Sequence, residues 1–274
     1  MYPDYEFQQR SIEKLSQRCR VAVIGKSLCG RSIYALYTGS GRKCPLIAAG
    51  FHGTEYLTVL AALRFAFECS QSAVIIPCVN PDGTEIAIHG ADAACRYRRF
   101  VRQTGAWSRW QANARGVDIN HNFDADWENV KRRERETGIF NPEPTRFGGC
   151  CPESEPETRV LTRLCRKNRF LRVLALHSQG REIYWNFGDC TPAECKSLAE
   201  KMASVSGYKV ASPEPLAVGG GFKDWFIAAF HRCGYTVEMG LGKNPLPLSD
   251  FETEYPAVER VLSEFLSGGK YAHT

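Results

Sequence analysis

Pro45-Leu46-Ile47-Ala48-Ala49-Gly50-Phe51-His52-Gly53-Thr54-Glu55 is an apolar run that ends in a loop carrying a histidine and then a glutamate. Residues 46–50 show no polar alternation, so they read as a strand buried on both faces. After Glu55, the apolar residues Tyr56, Val59, Leu60, Leu63 and Phe67 recur at helical spacing, one face of a core-packed helix. A strand-to-helix turn of this kind can point His52 and Glu55 at one spot. A divalent metal such as zinc needs that from its first two ligands. Taken alone, the pair also fits a turn histidine followed by a first-turn glutamate favoured by the helix dipole. The metal reading needs a third ligand and a base from elsewhere in the chain.

Working outward, residues 11–19 read as a short amphipathic helix. Val21–Gly25 and Ser32–Tyr37 flank the turn-prone Leu28-Cys29-Gly30-Arg31, a β-hairpin signal. Ala73–Asn80 is a further buried strand, stopped by Pro81-Asp82-Gly83. Residues 86–114 and 124–153 show little periodicity. Long irregular segments inside a compact domain are usually functional. Ser154-Glu155-Pro156-Glu157 reads as a capping box opening a helix to about Phe170. Leu171–His177 is a strand with a histidine at its C-terminal end, and Arg181–Phe187 alternates like another. Helices follow at about 191–205 and 222–233, then a strand at Tyr235–Gly240 and a helix at 255–266. Strands alternate with helices without a linker tract or repeat. The expectation is one α/β domain over residues 1–274: a mixed, twisted sheet of about eight strands with helices on both faces. Ligands in such folds bind outside the carboxyl ends of the strands. His52, His177 and Glu238 all fall there.

Composition narrows the classes. The chain has 274 residues, 43% of them hydrophobic and 24% charged, with a formal net charge of +5. The one basic run, residues 131–136, is diluted by glutamates and reads as a solvated helix face, so no nucleic-acid partner is expected. No apolar run reaches membrane-spanning length and the first residues carry no signal-peptide pattern. There are 12 cysteines with no CxxC pair, and Cys150 and Cys151 are adjacent. This reads as mostly free, partly buried thiols in a reducing compartment rather than a disulfide framework, and the expected location is the cytoplasm.

A catalytic zinc keeps three protein ligands and an open position, and His52, Glu55 and His177 form a His2Glu set. Glu238, in an otherwise apolar strand, is the candidate base. At this point the sequence resembles the zinc carboxypeptidase family (carboxypeptidase A-like metallopeptidases). The resemblance rests on residues 52–55, Asn80-Pro81-Asp82-Gly83, Gly116-Val117-Asp118-Ile119-Asn120, His177-Ser178, residues 221–225 and residues 236–239. It implies a zinc-exopeptidase-like fold, one Zn2+ on His52, Glu55 and His177, and Glu238 as general base and then general acid.

The departures carry information. The family's Asn-Arg pair, which grips the substrate's terminal carboxylate, is Asn120-His121 here, and imidazole cannot form a bidentate guanidinium clamp. The segment whose arginine steadies the oxyanion is Trp110-Gln111-Ala112-Asn113, leaving Arg109 or Arg115 as replacements. The family's capping tyrosine corresponds to Leu216. Lys223 falls at the base of the family's specificity pocket, where a cation suits an acidic substrate. Residues 177–185, which include the substrate-binding candidates Ser178 and Gln179, the Gly221-Phe222-Lys223-Asp224-Trp225 run and Ser154-Glu155-Pro156-Glu157 resemble the bacterial branch of γ-D-glutamyl-diaminopimelate peptidases and murein peptide amidases. The implied substrate is a muropeptide containing diaminopimelate. An ordinary metallocarboxypeptidase and a non-catalytic peptide-binding module are the alternatives. Oligomeric state is not legible.

Overall fold

Ile47 and Ala49 pack on one side of a sheet, Leu46 and Ala48 on the other. This two-residue period, buried on both faces, is the signature of a central parallel strand. A computed structural model describes residues 1–41, 44–214 and 217–268. Its eight strands are β1 (Arg20–Lys26), β2 (Ser32–Thr38), β3 (Leu46–Ala49), β4 (Ala73–Ile76), β5 (Val173–His177), β6 (Glu182–Tyr184), β7 (Lys209–Val210) and β8 (Gly234–Glu238). They form one mixed sheet in the order β1-β2-β4-β3-β5-β8-β6-β7. The four middle strands, β4, β3, β5 and β8, run parallel to one another. β1 and β2 close one side as an antiparallel hairpin, and β6 joins β8 antiparallel on the other.

Helices cover both faces. α1 (Tyr5–Ser16), α2 (Tyr56–Glu68), α7 (Glu194–Ser206) and α9 (Phe251–Ser267) bury their apolar stripes with Leu36, Leu174, Leu176 and Val237. On the opposite face α6 (Pro156–Lys167) and α8 (Phe222–Phe230) pack Leu161, Phe222 and Trp225 against Ile33, Val74, Ile76 and Ala175. The expected α/β architecture is therefore present.

Several local expectations differ. The first helix starts at Tyr5 because Asp4 accepts the Phe7 amide at 2.8 Å, a cap that sets the boundary earlier than residue 11. Pro81-Asp82-Gly83 does not stop the chain but opens α3 (Pro81–His89). Asn80 caps it, accepting from Gly83 N at 2.8 Å, and Pro81 sits in the first turn, where its missing N–H costs nothing. The segments expected to be irregular hold two more helices, α4 (Arg98–Thr104) and α5 (Trp127–Glu136). The capping box at Ser154–Glu157 does not form. Glu155 is the N-cap but makes no side-chain cap bond, because its carboxylate binds Arg115 and Asn113 instead. One pair departs from the mostly free thiols expected. Cys195 on α7 and Cys233 before β8 form a disulfide across 38 residues, a pairing with no sequence signature because packing alone brings the two together. The other ten cysteines are free. Leu216 lies outside the described residues.

Candidate active site

The turn after β3 is held by close backbone packing. A Cβ at Gly53 would lie 2.2 Å from the Gly83 carbonyl oxygen, so this position needs glycine. Gly53 N donates to the Gln111 carbonyl at 3.2 Å. Fully buried Asn80 donates from Nδ2 to the carbonyls of Phe51 (3.0 Å) and Ala112 (3.1 Å). The His52–Glu55 turn and the 110–113 loop are thereby fixed to one frame. His177 ends β5, and Glu238, its register partner, ends β8. Four segments distant in sequence meet at the carboxyl end of the sheet.

His52, Glu55 and His177 each offer a ligand atom, and these atoms lie within 4.8 Å of one another. Glu55 is buried between the two rings, with Oε1 2.8 Å from His52 Nδ1 and Oε2 3.0 Å from His177 Nδ1. His52 Nε2 lies 3.1 Å from Asp118 Oδ1 and donates to it, which leaves the Nδ1 lone pair aimed at the ligand cluster. A carboxylate behind a ligating imidazole fixes its tautomer and raises its basicity. Asp118 is itself fixed by the amides of Asn120 (3.1 Å) and Arg146 (2.9 Å). The electrostatics also favour a cation. Burial opposes charge on Asp118, yet His52 and His121 hold its carboxyl well below the usual range. Glu55 likewise falls to about 2: burial opposes ionisation, but His52 and His177 outweigh it. His52 is pushed well above its ordinary value, burial being overcome by Glu55 and Asp118. A dication at the ligand atoms would take the place of the proton that these anions draw onto His52. The donor set fits zinc.

Glu238 is partly exposed, and no hydrogen bond engages its side chain among the described residues. Burial first, and then the charge of Glu55, raise its pKa well above the ordinary carboxylate value.

Residues 5–257 match the family model described as zinc carboxypeptidase. The chain belongs to the zinc carboxypeptidase family. It is an enzyme, a zinc-dependent metallopeptidase that acts on peptides. A γ-D-glutamyl-L-diamino acid endopeptidase of Lysinibacillus sphaericus is 33% identical over 293 residues, covering 97% of this chain and 72% of the relative. Murein peptide amidase A of Escherichia coli K12 is 29% identical over 56% of this chain and 57% of its own. Among solved structures, bovine thrombin-activatable fibrinolysis inhibitor in complex with tick carboxypeptidase inhibitor superposes with a TM-score of 0.78 at 19% identity, covering 98% and 97% of the two chains. The murein-tripeptide amidase of Escherichia coli O157 does so at 0.61 and 23%, covering 89% and 91%. At these identities the superpositions speak for the fold.

Beside the ligand cluster opens a cleft of about 920 Å³. Thr54, Arg109, Gln111, Thr145, Gln179 and Asn244 are among the residues on its wall. Gln111 accepts from the Thr145 hydroxyl, and no bond occupies its Nε2 among the described residues. Asn120 accepts from Phe222 N at 3.1 Å through Oδ1, and no bond occupies its amide donors among the described residues. The Ser178 hydroxyl is committed to Asn244 Oδ1 at 2.9 Å, and Gln179 is exposed.

Three expectations are corrected by partners the sequence did not reveal. Arg115 is not an anion donor in the cleft. Its Nε and Nη2 bind both oxygens of Glu155 at 2.8 and 2.7 Å, holding the 113–118 loop to the start of α6. Lys223 is not a free pocket cation. It is buried, its ammonium pairs with Asp224 and donates to the Asn186 carbonyl at 2.7 Å, and it does not line the cleft. His121 looks into a narrow pocket walled by Val130, Arg133, Glu134 and Arg146, with Nδ1 3.8 Å from Glu134 Oε1. It too is absent from the cleft wall.

Two residues that fix the site carry little sequence signal of their own: Asp118 falls inside the Gly116-Val117-Asp118-Ile119-Asn120 motif, and Asn244 in no motif. A buried acid in a Gly-Val-Asp-Ile-Asn run beside a candidate ligand was the available signal for the first. For Asn244, whose Nδ2 donates to the Ser178 carbonyl at 2.6 Å and lies 3.4 Å from Glu55 Oε1, there was none.

Proposed function

We propose that the enzyme hydrolyses the amide between γ-D-glutamate and meso-diaminopimelate in cell-wall (murein) peptides. The observation that carries this reading is the orientation of His121. The residue at the clamp position for a terminal carboxylate is an imidazole that faces Glu134 on α5, so position 121 itself offers no bidentate guanidinium to a protein C-terminus. The γ-D-glutamyl-L-diamino acid endopeptidase relative, aligned over nearly the whole chain, supports the same substrate class.

Zinc held by His52, Glu55 and His177 would supply a Lewis acid that polarises the scissile carbonyl and acidifies water at its open position. Glu238, with its raised proton affinity, accepts the proton of the attacking water and delivers it to the leaving amine. The free Nε2 of Gln111, braced by Thr145, donates to the carbonyl oxygen as charge grows on it. The amide donors of Asn120 hold a carboxylate of the leaving diaminopimelate. Asp118 keeps His52 in its ligating tautomer.

The test is to incubate the zinc-loaded enzyme with L-Ala-γ-D-Glu-meso-diaminopimelate and follow the diaminopimelate released. Glu238→Gln is expected to retain zinc and substrate binding while turnover falls by roughly 10²–10⁴-fold. Release of C-terminal residues from simple hydrophobic peptides, with the γ-glutamyl substrate untouched, would support an ordinary metallocarboxypeptidase instead.

A further inference from the structure

The cations near the ligand cluster divide into two groups. Arg115 and Lys223 are neutralised by Glu155 and Asp224. Arg109 and Lys243 are not: both are exposed on the wall of the cleft, and neither has an acidic partner among the described residues. The acid on that wall, Glu143, forms no ion pair there. The lining therefore carries two uncompensated positive charges against one negative. Cations held open in a concave, partly desolvated surface focus potential on an incoming anion.

The cleft is continuous with the reaction centre. Lys243 precedes Asn244, whose amide lies 3.4 Å from Glu55 Oε1 and whose side chain shares the cleft wall with Gln111 and Thr54. Asn120, His121 and Glu238 are not on that wall. If Asn120 receives the leaving amino acid, this cleft receives the other half of the substrate, the acyl side. The chemistry of that half depends on the linkage. A glutamate joined through its γ-carboxyl keeps a free α-carboxylate three carbons from the scissile carbonyl. A glutamate joined through its α-carboxyl has its side-chain carboxylate the same three carbons from the scissile carbonyl but carries its acylated nitrogen on the carbon next to that carbonyl, and residues other than glutamate and aspartate present no side-chain carboxylate at all.

We propose that Lys243 and Arg109 form an acyl-side carboxylate site that selects donors whose acyl residue keeps a free carboxylate, as γ-linked glutamate does, with Lys243 the main contact. The site rests on the muropeptide reading above and deepens it, because it assigns recognition of the acyl-side carboxylate to residues outside the family motifs. Lys243 donates from a flexible stem and Arg109 adds a fixed fork, a pairing that accommodates one carboxylate. Glu143 weakens the same field.

The experiment compares L-Ala-γ-D-Glu-meso-diaminopimelate with the peptide in which the glutamate α-carboxylate is a carboxamide. Kinetics are taken on the wild-type enzyme, Lys243→Met, Lys243→Arg and Glu143→Gln. Binding of the dipeptide L-Ala-γ-D-Glu and of its carboxamide is measured by calorimetry, which needs no turnover. The expected result is a roughly 10- to 100-fold preference of the wild type for the carboxylate, expressed mainly in KM and Kd. Lys243→Met should erase most of that preference, Lys243→Arg should keep it, and Glu143→Gln should tighten carboxylate binding about twofold to threefold. Equal handling of carboxylate and carboxamide by the wild type, or equal losses on both with Lys243→Met, would overturn the site while leaving muropeptide cleavage standing. Absence of cleavage on either peptide would sink the functional reading, and the calorimetry would still decide the site. No preferential binding of the carboxylate dipeptide would sink that as well.

Discussion

Replacing Glu157 by glutamine should make the protein more stable at neutral and alkaline pH, although it removes a buried carboxyl with two hydrogen bonds. Glu157 lies fully buried in the first turn of α6. Oε1 accepts from Leu28 N at 3.2 Å and Oε2 from Asn113 Nδ2 at 3.3 Å. No ion pair holds it among the described residues. Asp82, tied up by Ser27, Cys29 N and Arg31 in the adjoining loop, adds a negative charge nearby. Burial first, then Asp82 and Glu155, push Glu157 up to about 8 from 4.5.

The native state thus keeps this proton to about pH 8, while the unfolded chain releases it near 4.5. Between those values the native state binds more protons, so stability falls as pH rises. The full contribution is present below pH 4.5 and is lost as pH passes 8. At 1.36 kcal/mol per pH unit, the loss is about 3 kcal/mol at pH 7 and about 4 kcal/mol between pH 5 and pH 9. Glutamine still accepts from Leu28 N and has no proton to lose. The Asn113 bond it gives up costs about 1 kcal/mol, since Asn113 also donates to Glu155 Oε2 at 2.6 Å. Urea unfolding at saturating zinc and fixed ionic strength should find Glu157→Gln close to wild type at pH 5 and roughly 3–4 kcal/mol more stable at pH 8.5. Parallel stability curves from pH 5 to pH 9, or a wild type that is the more stable at pH 8.5, would refute the assignment of a neutral buried Glu157.

Asp118→Asn leaves the three zinc ligands in place but removes the anion behind His52. Zinc affinity should fall roughly 10- to 100-fold, measured by competition with a chromophoric chelator, and unchanged affinity would show that the carboxylate does not tune the ligand. Cys195→Ser with Cys233→Ser opens the loop spanning 38 residues and should lower the stability of the oxidised protein by about 4 kcal/mol. The same change made under strong reductant should cost far less. Identical denaturation midpoints for the two oxidised proteins would argue that the bond constrains nothing.

The parts of this molecule legible in the sequence were those set by periodicity and residue type. Apolar runs without alternation marked β3, β4, β5 and β8, and helical spacing after Glu55 marked α2. His52, Glu55 and His177 were legible because each sits at a strand end or just beyond one, where topology forces convergence. Boundaries set by a single side-chain bond were not legible. Asp4 moved α1, and Asn80 turned an apparent stop into a helix start.

Charge was the least legible property, because a cation's role depends on a partner that sequence does not name. Arg115 is spent on Glu155, forty residues further on, in a bond that anchors a loop. Lys223 had its partner next door in Asp224, but adjacent residues on a helix do not ordinarily face each other, so the contact was not foreseeable. Arg109 and Lys243 sat in stretches with no motif-level signal of their own, yet they are the cations left facing the cleft. The carboxylate recognition expected at Lys223 thus has a different place in the site proposed above: the acyl side, where a γ-linked glutamate keeps a free carboxylate, rather than the pocket beneath the leaving residue.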